Sequence, residues 1–125
     1  MIGGRREGTI SSISGITTHV LDTVRGRPAS GVPFTLEARG DNGEWRALGR
    51  GATDGDGRAK LLAPESLVPA GVYRVTFDTG AYFRAWNVEG FYPEISIVFE
   101  IRQASQHHHV DLLLSPYGYS TCRGT

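Results

Sequence analysis

The residues with most chemistry to offer lie close together near the C-terminal end. They are three consecutive histidines, His107, His108 and His109, then Asp111, and, beyond a Ser115-Pro116 turn, Cys122 and Arg123. Histidine exchanges protons near neutral pH, its unperturbed pKa being about 6.5. A carboxylate two residues away along a strand can orient such an imidazole, because alternate strand residues share a face. In that reading His107, His109, Asp111 and Leu113 point one way, while His108, Val110, Leu112 and Leu114 point the other, toward a core. A second strand from Tyr117 onward places Tyr119, Thr121 and Arg123 on one face and Ser120, Cys122 and Gly124 on the other.

Other chemistries fit these residues less well. The alternation leaves two zinc ligands from the histidine run on one side, so a metal would need further ligands from elsewhere, and none is expected. Asp54-Gly55-Asp56-Gly57 invites a calcium reading that fails on counting. With Asp54 as first ligand the required glycine falls on Ala59, and with Gly57 as that glycine the first ligand is Ala52. The segment reads as a turn. Cys122 as a nucleophile would need an electropositive setting that lowers its pKa, and the sequence does not establish one. Taken singly, His19 is a half-exposed strand histidine and Arg58 a solvated charge after a turn.

The elements that must position these groups are short. Alternation marks strands over Ile16 to Asp22, Val32 to Ala38, Trp45 to Leu48, Arg58 to Leu62, Val72 to Asp78 and Ile95 to Ile101, before the terminal hairpin. Pro33 marks an edge or a strand start, and Asp41-Asn42-Gly43 marks a hairpin turn. Gly49 to Gly57 reads as a loop, Pro64 to Gly71 as a connector, and Gly80 to Val88 as the one helix. About eight short strands and one short helix predict an all-β fold, an antiparallel β-sandwich. Residues 1–14, rich in glycine, serine and arginine, are expected to be a flexible tail, leaving 15–125 as a single domain.

Composition narrows the function classes. A chain of 125 residues suits one domain that buries roughly two thirds of its unfolded surface. Thirteen basic residues balance thirteen acidic ones, which leaves no electrostatic footprint for nucleic acid or an anionic membrane. No apolar run reaches the length of a membrane span, and the N-terminal residues lack a secretory segment. The single cysteine fits a reducing compartment, and the closing Arg-Gly-Thr is not a Ser-Lys-Leu address. A cytoplasmic location is expected, with the peroxisome as the alternative.

Two longer patterns sharpen this reading. Val20 to Val32, V-L-D-x-x-x-G-x-P-A-x-G-V, followed by T-D-x-D-G at Thr53 to Gly57, resembles a prealbumin-like β-sandwich. The tail, H-x-H-V-x-L-L-L-S-P-Y-G-Y-S-T-x-R-G from His107 to Gly124, resembles the C-terminal signature of the transthyretin-related family, whose enzymes hydrolyse 5-hydroxyisourate. The resemblance runs from about Ile16 to Thr125 and includes T-H-V-L-D at Thr18 to Asp22. Transthyretin itself shares the L-L-S-P-Y-x-Y-S-T run but lacks the histidines and the Arg-Gly ending.

The resemblance implies a transthyretin-like domain that opens the ring of 5-hydroxyisourate in urate breakdown without a cofactor. It implies catalytic roles for His19, Arg58 and His109, and substrate binding by His19, Arg58, Cys122 and Thr125. It also implies a homotetramer, a dimer of dimers, with the site in a channel between subunits. Three residues depart from the pattern: Cys122 stands for a tyrosine, Thr125 for a serine and Asp111 for a common proline. If those changes removed turnover, the alternative would be a non-catalytic transthyretin-like carrier of small molecules.

Overall fold

The computed structural model describes residues 15–62 and 68–124. The segments 1–14 and 63–67, and Thr125, lie outside the described residues, and with them the expected tail, half of the Pro64 to Gly71 connector and the role assigned to Thr125. In chain order the elements are β1 (Gly15–Asp22), β2 (Arg27–Pro28), β3 (Pro33–Arg39), β4 (Trp45–Ala52), β5 (Arg58–Leu62), β6 (Gly71–Phe77), α1 (Thr79–Ala85), β7 (Ile95–Ile101), β8 (His107–Ser115) and β9 (Gly118–Gly124). None of the helical segments among the described residues is long and apolar enough to cross a membrane.

The strands form two sheets, ordered β2-β1-β8-β9, with β5 also on β1, and β4-β3-β6-β7. Their facing sides hold the core. Ile16, Val20, Leu61, Leu112 and Leu114 come from the first sheet, and Phe34, Leu36, Val75, Phe77, Ile95 and Ile101 from the second, all buried. Each of these side chains contributes about 1.5–3 kcal/mol on burial. The period of two that puts them inside also sends their sequence neighbours out, so the outer face of the first sheet is left for polar groups.

Three details differ from the sequence reading. The pairing of β1 with β8 is parallel, which a purely antiparallel sandwich does not contain. Strands this far apart in sequence need no tight turn between them, so local turn signals say nothing of their relative direction. Strand β4 continues to Ala52 through the expected loop, because Gly49 to Ala52 pair with Leu36 to Pro33. Gly51 lies beneath the Phe34 ring, where a Cβ would stand 3.0 Å from its Cζ. The helix begins earlier than expected, since the Asp78 side chain accepts a 3.0 Å hydrogen bond from the Ala81 amide and caps it. It ends before Asn87, whose φ of 57° turns the chain into left-handed space.

Asp22 ties the end of β1 to its surroundings. Its buried carboxylate accepts from the amides of Val24 and Arg25 at 3.1 and 3.0 Å and from the Tyr82 hydroxyl at 2.7 Å. Burial, followed by this carboxylate contact, pushes the Tyr82 phenol up to about 12, so it stays a donor. The V-L-D pattern therefore anchors the β1 end rather than contributing chemistry directly.

Candidate active site

The site is built by register. Arg58 of β5 pairs with His19 of β1, His19 lies beside Asp111 of β8, and Asp111 faces Cys122 of β9. One row across four strands thus carries Arg58, His19, Asp111 and Cys122. The next row carries Lys60, Thr17, His109 and Gly124. Cross-strand partners have Cβ atoms only about 4.5–5.5 Å apart, so the rows concentrate two cations, imidazoles and a carboxylate on the outer sheet face. The register puts His19, Arg58 and His109, separated by up to ninety residues of chain, in neighbouring rows of one sheet face.

The turn before β5 is what delivers Arg58. Thr53 is buried, donates from Oγ1 to the Ala29 carbonyl at 2.7 Å and accepts from the Val32 amide at 2.9 Å. Asp54 Oδ1 accepts from the amides of Asp56 and Arg58 at 2.9 and 3.0 Å. Those backbone donors, Arg58 first, hold the Asp54 carboxyl below the ordinary carboxylate range, aided by the charges of Arg58 and His19. Gly57 follows with φ of 73°, pressed against β1 where a Cβ would collide with the Val20 carbonyl. The T-D-x-D-G segment is a turn whose side chains satisfy its own backbone, and it sets Arg58 opposite His19.

His109 is the most constrained member. Its Nδ1 lies 2.6 Å from Thr17 Oγ1, and its Nε2 lies 2.8 Å from Asp111 Oδ1. Thr17 Oγ1 also meets His107 Nε2 at 2.8 Å, and the two imidazoles stack with centroids 6.3 Å apart. The His109 side chain keeps only 14% of its surface exposed, against 31% for Asp111. Gly124 makes room for both, since a Cβ there would stand 2.5 Å from His109 Cδ2 and 2.8 Å from Asp111 Oδ2. The glycine of the Arg-Gly ending is thus a space requirement of the site.

Cys122 is exposed on the same face, opposite Asp111. Arg123 points the other way and reaches Gln106 Oε1 at 3.2 Å. Among the described residues no group of three His, Cys, Asp or Glu side chains is arranged to hold a metal. Thr17 and Lys60 share the face although no motif in the sequence marks them. The signal was available, since each sits two residues along the strand from a chosen residue, His19 and Arg58 respectively, and so shares its face.

Comparisons with known proteins identify the family and the fold. The model of the HIUase/Transthyretin family matches residues 16–124. A 5-hydroxyisourate hydrolase of Salmonella typhimurium is 49% identical over 110 residues, covering 88% of this chain and 80% of the relative. Among solved structures, transthyretin from Sparus aurata superposes with a TM-score of 0.83 at 34% identity, covering 89% of this chain and 97% of that one. The 5-hydroxyisourate hydrolase of Klebsiella pneumoniae gives a TM-score of 0.78 at 34% identity, covering 90% and 99%.

Proposed function

Since the chain belongs to the HIUase/Transthyretin family, we infer that it is a 5-hydroxyisourate hydrolase, opening that ring in urate degradation to give 2-oxo-4-hydroxy-4-carboxy-5-ureidoimidazoline. The observation that carries the reading to particular residues is the cross-strand assembly of Arg58, His19 and His109 on one face. Ring opening adds water to a ring carbonyl and expels a ring nitrogen. It needs a group to take a proton from water, a donor for the developing oxyanion and an acid for the leaving nitrogen.

His109 and His19 are assigned the proton transfers, for which a positioned base is worth on the order of a hundredfold to ten-thousandfold. Arg58 is assigned to the substrate carbonyls and the oxyanion, where its planar fork matches two oxygens and a donor contributes about 3 kcal/mol. Cys122, at the end of the same row, and Thr125 are assigned to the substrate boundary. The reaction as written uses no cofactor. The sheets end on β7 and β9, edges that suit pairing with further copies, and a homotetramer built as a dimer of dimers would turn the outer face into a channel wall. The lone Cys122 thiol fits a cytoplasmic setting.

The test is the decay of freshly generated 5-hydroxyisourate, followed by ultraviolet absorbance. The protein should accelerate it with saturation, and His109→Asn should lower the rate a hundredfold or more. A folded protein that binds the substrate without accelerating its decay would overturn the enzyme assignment in favour of a carrier. Full activity in His109→Asn would overturn the residue assignment.

A further inference from the structure

We propose that Asp111 and Thr17 are positioning residues that hold His109 as its Nε2–H tautomer, so that His109 gains and loses its catalytic proton through the Thr17 hydroxyl; this rests on the catalytic role given to His109 above. The hydrogen-bonding inventory leads there. An ionised carboxylate only accepts, so the 2.8 Å contact with Asp111 Oδ1 requires the proton on Nε2 of His109. A neutral His109 then has its one lone pair on Nδ1, which faces Thr17 Oγ1 at 2.6 Å. Thr17 has a single proton, which it donates to that lone pair, and its oxygen accepts from His107 Nε2 at 2.8 Å.

The chain therefore runs Asp111, His109, Thr17, His107, with every donor and acceptor matched. When His109 takes up a proton at Nδ1, the hydroxyl supplies it and Thr17 Oγ1 takes a proton in the same step from a water at that oxygen, which leaves hydroxide; His107 keeps its Nε2–H and holds the threonine oxygen in place. The reverse step returns the proton, and no atom is left unbalanced. Both ring nitrogens are engaged, so the ring cannot meet water directly without breaking one of these bonds. Gly124 keeps the arrangement close-packed, with the ring and the carboxylate both lying over its backbone. Thr17 and Asp111 stand on the outer face, away from the core, so their replacement leaves the sandwich packing intact.

Two measurements test this. Nitrogen-15 spectra of the folded native protein should show His109 with a protonated Nε2 and an unprotonated Nδ1, and Asp111→Ala should mix the tautomers. In steady state, Asp111→Ala and Thr17→Val should each lower kcat on the order of tenfold to a hundredfold, a part of what a positioned base supplies. KM should stay within about twofold, since neither residue is assigned a substrate contact. Thr17→Ser, which keeps the hydroxyl, should restore most of the rate, and Asp111→Asn, whose amide oxygen still accepts, should restore some of it.

A native His109 protonated at Nδ1, or loss confined to KM, or wild-type kcat in Asp111→Ala and Thr17→Val, would overturn the proposal. His109→Asn separates the failures. If it is inactive while the Asp111 and Thr17 variants are fully active, only this positioning scheme falls. If it too is active, the site reading falls with it.

Discussion

His108 and His109 are adjacent in the chain and stand on opposite faces of β8, and their surroundings differ in every respect that matters for chemistry. His109 is mostly covered yet has a partner at each ring nitrogen, Thr17 on one side and Asp111 on the other. His108 is 6% exposed, and its Nδ1 has no hydrogen-bond partner among the described residues. Burial, and then the positive charge of Arg123, push its pKa down, with the Gln106 backbone opposing them. One imidazole is bonded at both nitrogens on the outer face, and the other lies between the apolar Ile97, Phe99 and Val110 and the polar Glu100, Gln106 and Arg123. Position on β8 decides between them, because a step of one residue exchanges the two faces. Changes on the outer face should therefore cost turnover and little stability, and changes on the inner face the reverse.

Gly124→Ala offers the largest expected effect on that contrast beyond the histidine itself. The new methyl would meet His109 Cδ2 and Asp111 Oδ2 well inside contact distance, and these are the two groups whose relative placement matters. A displacement of about 1 Å at a reacting group can cost on the order of a hundredfold, and kcat should fall by about that much. Gly124 ends an edge strand and contributes nothing to the inter-sheet core, so the melting temperature should hardly move. A large drop in melting temperature with kcat preserved would break the comparison.

The opposite substitution is His108→Leu. A buried polar atom without a partner costs about 1–3 kcal/mol, and leucine removes it at similar volume. Stability in denaturant should rise by about 1 kcal/mol, while kcat stays within about twofold. Loss of turnover in this variant would mean that the inner face of β8 also serves the reaction.

The sequence carried this contrast only in part. The parity of the tail separates His108 from His109 and Asp111 without any structure, and alternation finds most core positions, Tyr73, Val75 and Phe77 among them. It does not reveal that His19 sits between Arg58 and Asp111. That depends on the register of β1 against β5 and β8, which is set by core packing between segments forty and ninety residues apart. The parallel direction of β8 was illegible for the same reason. Gly49 to Ala52 misled because glycine signals a loop locally, whereas pairing with β3 and the room needed by Phe34 keep the segment extended. Within the site, strand parity puts Thr17 on the same face as His19, but its two imidazole contacts depend on the register of β1 against β8 and are visible only in the fold.

Acid should sharpen the comparison further, though by the smallest margin. His108 has a folded pKa below its ordinary value of 6.5, so between that lowered value and about 6.5 the unfolded chain binds more protons than the folded one. Stability from this group is then complete above about pH 6.5 and is lost as the pH falls through that window. Of its neighbours, Arg123 and His107 disfavour a further positive charge on the ring, and the Gln106 backbone favours one. Urea midpoints measured from about pH 7.5 down to about pH 5 should fall for the native protein and fall less steeply for His108→Leu. An equal slope in the two proteins would show that His108 titrates alike when folded and unfolded, and the inner face of β8 would then be wetter than its packing indicates.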